Sequence, residues 1–324
     1  MKFSRAALLP LLALAAAGAD APASAPPDTL NALNTNFSLP NGHLRFVPGE
    51  GGLPCAQIST PQCTARIYLL GAHVAAWQPA GHEPVLLMSS KSAFAPGKPI
   101  RGGIPVIFPW FATNVANPAA PNHGLLRTRT WDVESTREEA GAVTITFVTR
   151  SDEQTRTYYP HAFEARLRAT FGTSLEVALE IKNTDPAPIT FEEALHTYYA
   201  VGDVRRARVT GLDKTDYLDK VDALKQKPQA GDIIFTSETD RIYLNTKTPL
   251  QIIDEASGRK ITIEKSDSNT TVVWNPGPTK VVADLGPGEW SRFVCAETAN
   301  LSPAPVTLPP GGTHAMSFRA TVNK

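Results

Sequence analysis

The chain has 324 residues, 19% of them charged, with 31 Lys plus Arg against 31 Asp plus Glu and a formal net charge of zero. This balance excludes a disordered polyelectrolyte tail and offers no basic surplus for nucleic acid. The 28 prolines are roughly 9% of the chain against an average of ~5%; they disfavour long helices and suit short strands joined by turns.

Residues 1–25 read MKFSRAALLPLLALAAAGADAPASA. Lys2 and Arg5 form a positive start, Ala6 to Ala17 an apolar run, and Ala17-Gly18-Ala19 a small-x-small cleavage pattern. The run is shorter than the ~20 residues of a membrane span. Residues 1–19 are therefore expected to be a signal peptide, and the chain to be exported, periplasmic and free of the membrane after cleavage. Removing them takes away Lys2 and Arg5 and no acid, leaving a net charge of −2. Residues 20–30, rich in Ala and Pro, are expected to be a short exposed leader, and residues 31–324 a single domain.

Cys55 and Cys63 stand eight apart in LPCAQISTPQCTARIYLL. In an oxidising compartment a local disulfide across this turn is expected, with two structural thiols as the alternative. No second Cys or His pair stands at zinc-ligand spacing. A short strand is expected at 67–70. The stretch RGGIPVIFPWF (residues 101–111) follows, opened by Arg101. Its guanidinium suits a phosphate, carboxylate or sugar oxygen; the plain alternative is a surface Arg before a core segment. Gly102-Gly103 lets the backbone turn or a ligand come close. In Asn122-His123-Gly124-Leu125-Leu126-Arg127, a His and an Arg four residues apart in a turn can both address one ligand.

Residues 143–149 form a short β-branched run. Residues 165–171 alternate strictly, and after Gly172-Thr173-Ser174 the alternation resumes through Leu175, Val177, Leu179 and Ile181; this reads as a β-hairpin. The run 189–201 (ITFEEALHTYYAV) reads as one strand. On it Phe191, Glu193, Leu195, Thr197 and Tyr199 share one face, and Glu192, Ala194, His196, Tyr198 and Ala200 the other. His196 is either a hydrogen-bonded core histidine or a rigidly held general acid. Further short strands are expected at 231–236, 242–245, 259–264, 271–274, 280–284, 291–297 and 315–322. Asp240 lies in the turn-like ETDRIY. Cys295 is expected to be a buried small side chain, and Glu297 shares its face with Phe293 and Cys295. A carboxylate continuing an apolar face is costly unless it is paired or used; the alternative is a strand-end Glu reaching solvent. Many short strands at this spacing mean an all-β sandwich or barrel.

No phosphate-cradling GxxxxGK[ST], HExxH or GxSxG is present, so nucleotide-dependent, zincin-type and serine-hydrolase mechanisms have no support in the sequence. RGGIPVIFPWF, NHGLLR, ALHTYYAV, GLDKTDYLDK, TDRIYLN, VVWNPGP and FVCAE occur in that order. Together they resemble the glucose-6-phosphate 1-epimerase (hexose-6-phosphate mutarotase) family of the galactose mutarotase-like superfamily, over roughly residues 38–322. The resemblance implies a large antiparallel β-sandwich and interconversion of α and β anomers by ring opening and reclosure. It implies His196 and Glu297 as the catalytic His and Glu; since one carboxylate base and one imidazolium acid on opposite sides of the hemiacetal suffice for the chemistry, Glu297 is expected as the base and His196 as the acid. It also implies Arg101, Asn122, His123, Arg127 and Asp240 as substrate-binding residues. Asn122 stands where the family usually has Gln. No metal or organic cofactor is implied. The partner is a small sugar or sugar phosphate, and the chain is expected to be a monomer.

Two other functions are weighed against this one. A non-catalytic carbohydrate-binding protein could use the same sandwich. A glycosidase would want two carboxylates at a fixed separation, and the sequence shows one well-placed acid.

Overall fold

A computed structural model describes residues 27–324; the expected signal peptide lies outside the described residues. The chain begins with a helix, Pro27–Phe37, whose Leu30, Leu33 and Phe37 rest against the core. That i, i+3, i+7 spacing puts the three apolar side chains on one face. Asn34 fastens the helix to the strand Leu44–Pro48: its amide donates to the Phe46 carbonyl at 2.8 Å and accepts from the Phe46 N–H at 2.8 Å. Residues 27–30, read from the sequence as part of an exposed leader, are thus the first turn of a docked helix.

The strands Leu44–Pro48, Pro54–Ser59, Cys63–Tyr68 and His73–Pro79 form a four-stranded antiparallel meander. Its register rules out the expected disulfide. Cys55 pairs with Tyr68, at the far end of the strand that Cys63 opens, so the two cysteines are about five strand residues apart, roughly 17 Å. They also point to opposite faces, into different apolar clusters. A disulfide needs Cα atoms within ~7 Å, and both are free thiols.

Two larger sheets make the sandwich. One has nine strands, in the order Ile233–Ile234, Ala207–Thr210, Leu250–Asp254, Arg259–Ser266, Thr313–Asn323, Ser174–Asn183, Phe163–Phe171, Ala142–Arg150 and Asp132–Glu139. The expected hairpin forms its sixth and seventh strands, with Leu167 opposite Leu179 and Ala169 opposite Val177. The other sheet runs Lys225–Pro228, Asp216–Asp219, Thr239–Leu244, Thr270–Asn275, Phe293–Asn300, Glu193–Leu195 and Val106–Ile107, with Tyr198–Ala200 also pairing to Phe293–Asn300. Val177, Leu179 and Phe318 of the first sheet share one apolar core with Tyr243, Val273, Val294 and Ala296 of the second. Fully burying a Val, Leu or Phe side chain among these is worth ~1.5–3 kcal/mol.

The architecture is the expected all-β sandwich, with two local departures. The run 189–201 is three short strands, interrupted at Glu192 and at His196-Thr197. The break arises because the His196 N–H donates to the Pro105 carbonyl at 3.0 Å and the Tyr198 N–H to the Gly103 carbonyl at 2.9 Å. The face alternation survives: Phe191, Leu195 and Tyr199 face the sandwich core, and Ala194 and Tyr198 join clusters on the other side. Residues 280–284, expected as a strand, lie in an irregular segment between Asn275 and Glu289.

Candidate active site

The outer face of the eight-stranded sheet carries a cleft of about 370 Å³. Six of the seven residues singled out from the sequence line it: Arg101, Asn122, His123, His196, Asp240 and Glu297. Strand pairing brings the two central ones together. Glu193 pairs with Asn300, Ala194 with Ala299 and Leu195 with Thr298, so the next position along sets His196 against Glu297. His196 Nε2 is 3.3 Å from Glu297 Oε1. His196 is 7% exposed and Glu297 1%. Glu297 is therefore not a strand-end carboxylate reaching solvent; Phe293–Asn300 is buried along its whole length.

His196 is held by aromatic rings. Tyr198 stacks on it at 5.0 Å between centroids and 11° between planes, and Trp274 meets it edge-on at 5.9 Å. Both carboxylate oxygens of Glu297 and Nδ1 of His196 lack a hydrogen-bond partner. Buried polar atoms in this state cost free energy unless a ligand satisfies them. Burial pushes the Glu297 carboxyl well above its ordinary 4.5; Lys220 opposes the shift and Asp240 adds to it. Burial, then His123, Arg101 and Arg127, pushes the His196 imidazole well below its ordinary 6.5. Both shifts favour a pair that keeps a single proton.

The RGG turn places Arg101. Gly102 has φ +101°, and a Cβ there would fall 2.3 Å from the Leu87 carbonyl oxygen; at Gly103, φ +57°, it would fall 2.3 Å from that of Val74. The two glycines thus serve close backbone packing rather than ligand approach. Arg101 donates to the Tyr198 hydroxyl at 2.7 Å and pairs with Asp284 at 3.0 Å.

The NHG turn places His123, whose φ is +61°. Its N–H donates to the Ala112 carbonyl at 2.8 Å, and the Ala112 N–H donates to His123 Nδ1 at 3.2 Å. This puts the neutral ring's proton on Nε2. Burial, then Arg127, Lys220 and Arg101, lowers the His123 pKa well below 6.5, which keeps the ring neutral. Its centroid is 5.6 Å from that of His196.

Arg127 is the expected residue that does not line the cleft. Its guanidinium donates to the Asn122 carbonyl at 2.7 Å, bracing the turn from behind. Burial and the neighbouring Arg101 lower its pKa to about 10.

Asp240 pairs with Lys220 at 3.0 Å, and the Lys220 ammonium lies 5.1 Å from the centre of the Phe111 ring. Burial raises the Asp240 carboxyl while Lys220 partly offsets it. Lys220, Asp284 and Phe111 were not picked out from sequence. Nothing in the motif GLDKTDYLDK distinguishes Lys220 from Lys214. Asp284 was hidden inside an expected strand. Lys280, Val281 and Val282 of that irregular segment form one wall of the cleft. The segment is anchored at Glu289, which accepts from the Ser89 hydroxyl, the Ser90 N–H and the Gly286 N–H at 2.7–2.9 Å.

The cleft therefore offers one carboxyl and one imidazole in contact, a neutral imidazole donor beside them, aromatic walls and three cations, Arg101, Lys220 and Lys280. This set can move a proton between adjacent oxygens of a polar ligand while binding its negative charge.

A model of the aldose 1-epimerase family matches residues 54–321. A protein of Cenchrus ciliaris provisionally named glucose-6-phosphate 1-epimerase is 35% identical over 286 residues, 84% of this chain and 86% of its own. An Escherichia coli K12 protein with the same provisional name is 36% identical over 248 residues, 76% of this chain and 82% of its own. Among solved structures, a provisionally assigned mutarotase from Salmonella typhimurium superposes with a TM-score of 0.83 at 30% identity, over 91% of this chain and 99% of that one.

Proposed function

The chain belongs to the aldose 1-epimerase family, and from that premise we propose that it interconverts the anomers of a hexose bearing a negative charge, a hexose 6-phosphate above all, with His196 and Glu297 as the proton-transfer pair. The reaction takes a proton from the C1 hydroxyl and gives one to the ring oxygen. The C1–O5 bond breaks, the C1–C2 bond of the open aldehyde rotates, and closure returns both protons. The observation that carries the assignment is the buried His196–Glu297 contact at 3.3 Å.

The two groups are neighbours rather than placed on opposite sides of the hemiacetal as the chemistry alone suggested. The geometry suits the chemistry, because the two reacting oxygens are bonded to the same carbon. An adjacent acid and base can reach both from one side. A pair holding one proton always contains one acid and one base, in either proton placement, so it can serve opening and closure alike. The pair loses that property when it gains a second proton. The imidazole is pushed below 6.5, so the acid limb of the rate profile is expected below that pH.

Arg101 at the rim, the charge of Arg127 behind it and the provisional names of the relatives support a phosphorylated substrate. His123 Nε2–H is a donor for a sugar oxygen, and Trp274 and Phe111 offer apolar faces to the ring carbons. Saturation-transfer NMR on glucose 6-phosphate, glucose and galactose side by side tests the reading. Acceleration confined to the phosphorylated sugar is expected. Equal acceleration of free glucose would discard the phosphate, and no acceleration of any sugar would favour a binding protein.

We also propose that the protein acts in the periplasm after removal of residues 1–19. The three-part pattern of that segment supports this. Cell fractionation with N-terminal sequencing should find the mature chain beginning at Asp20 in the periplasmic fraction; a cytoplasmic chain retaining residues 1–19 would refute it.

A further inference from the structure

The mechanism leaves one side chain beside the reacting pair without a role. Cys295, two residues before Glu297 on the same strand face, is wholly buried against Tyr198 and Phe293. Its Sγ, a ring nitrogen of His196 and a carboxylate oxygen of Glu297 all lie within 4.8 Å of one another. A nitrogen, a sulfur and an oxygen donor converging from three side chains resemble the three-protein-ligand sites of zinc enzymes, which leave a fourth position open. The ligand atoms of a tetrahedral zinc stand roughly 3.3–3.7 Å apart, given bond lengths of ~2.0–2.3 Å. The His196–Glu297 edge already fits at 3.3 Å, so the thiol has only to draw in by about 1 Å on that geometry.

A second observation points the same way. Both oxygens of Glu297 are buried without a hydrogen-bond partner, as expected of a group that gains by meeting a ligand. Of the cations around the site, Arg101, Lys220 and Lys280 are each matched by a carboxylate, Asp284, Asp240 and Glu238; Arg127, braced on the Asn122 carbonyl, is the charge that opposes the ion.

We propose that His196, Cys295 and Glu297 form a binding site for a thiophilic divalent ion of the zinc type, and that occupancy stops turnover. Binding forms metal–nitrogen, metal–sulfur and metal–oxygen bonds. It releases to solvent the thiol proton and the proton shared by the His196–Glu297 pair. The dication and two anionic ligands then leave the site with no added charge. The ion occupies the two groups that exchange protons with the sugar, so it acts as an inhibitor. Sulfur ligation excludes Mg²⁺ and Ca²⁺, which take oxygen ligands. The site is thus a metal-sensitive brake on the epimerase, independent of which sugar is the substrate.

The test is a Zn²⁺ titration of anomer exchange on the purified protein and on Cys295→Ala, with Mg²⁺ and Ca²⁺ as controls. Cys295 takes no part in the proton transfers, so the variant should keep its basal rate. Zn²⁺ should inhibit the native protein, EDTA should restore the rate in full, and Mg²⁺ and Ca²⁺ should have no effect. Loss of one ligand should raise the half-inhibitory concentration on the order of tenfold or more, since even outer partners of metal ligands are worth 10–100-fold. Cobalt(II) gives a readout without turnover: a thiolate-to-cobalt charge-transfer band in the native protein, still present in Cys55→Ala/Cys63→Ala. Zinc inhibition of equal potency in Cys295→Ala, no inhibition of the native protein, or cobalt binding without the thiolate band would each overturn the proposal.

Discussion

The two large sheets of this sandwich are built to different rules. In the nine-stranded sheet, the strands Phe163–Phe171 and Ser174–Asn183 are long and regular, and buried positions alternate with more exposed ones. Their inward residues Leu167, Ala169, Val177 and Leu179 are all apolar and fully buried. In the eight-stranded sheet, the strands around the cleft are as short as three residues, and Phe293–Asn300 is buried on both faces. Buried there are Glu193, His196, Asp240, Asn275, Glu297 and Asn300. The hairpin of the first sheet supplies stability from hydrophobic burial; the strands around the cleft of the second spend some of it holding polar groups out of water. The lesson is a division of labour: mutations in the first sheet should act on folding, and those in the second on turnover.

The largest expected effect falls on the second sheet. His196→Asn removes one member of the proton-transfer pair and should lower kcat by ~10²–10⁴, the usual worth of general acid–base catalysis, with an unchanged circular dichroism spectrum. Leu179→Ala makes the opposite cut. It should cost about 2–5 kcal/mol of unfolding free energy through the cavity it leaves, while the folded fraction turns over at the native rate. A fall in kcat comparable to that of His196→Asn would break the division. Arg101→Ala tests the rim. Losing a charge-assisted contact worth ~1.5–3 kcal/mol should raise KM for a hexose phosphate with kcat little changed; a fall in kcat with KM unchanged would assign Arg101 a structural role through Tyr198 and Asp284.

Glu297→Gln sharpens the contrast from the stability side. Burial holds the Glu297 carboxyl above 4.5, so above that pH the folded chain keeps a proton that the unfolded chain has released. Stability from this group is fully present below 4.5 and declines as pH rises toward the folded-state pKa. Glutamine cannot ionise, so it removes that slope. Denaturant melts between pH 4.5 and neutrality should show the native protein losing stability relative to Glu297→Gln as pH rises. A loss of stability in the variant that does not change with pH would mean that Glu297 is a structural residue.

The same division explains what the sequence revealed. Where a strand has one buried and one wetter face, alternation is visible, and the hairpin at 163–183 was legible almost to the residue. Alternation also assigned the faces of 189–201 correctly, although the strand there is broken. The break was not legible, because it depends on the Pro105 and Gly103 carbonyls, which lie some ninety residues earlier in the chain. The Cys55–Cys63 disulfide failed for a related reason: sequence proximity suggested a turn, but the register carries Cys55 to the far end of the hairpin. His196 and Glu297 stood out as polar residues in apolar runs. Lys220 and Asp284 did not, because one stands in an ordinary polar segment and the other at the end of a short apolar run, and each gains its place only from tertiary pairing with Asp240 and Arg101.

The central claim is that the His196–Glu297 pair transfers the protons of anomer exchange. The most direct measurement is the saturation-transfer exchange rate of glucose 6-phosphate with Glu297→Gln beside the native protein, at matched concentrations of folded chain. The account predicts that the native protein accelerates exchange and that the variant leaves it at the rate of the sugar in buffer. A variant that exchanges anomers at the native rate would contradict it.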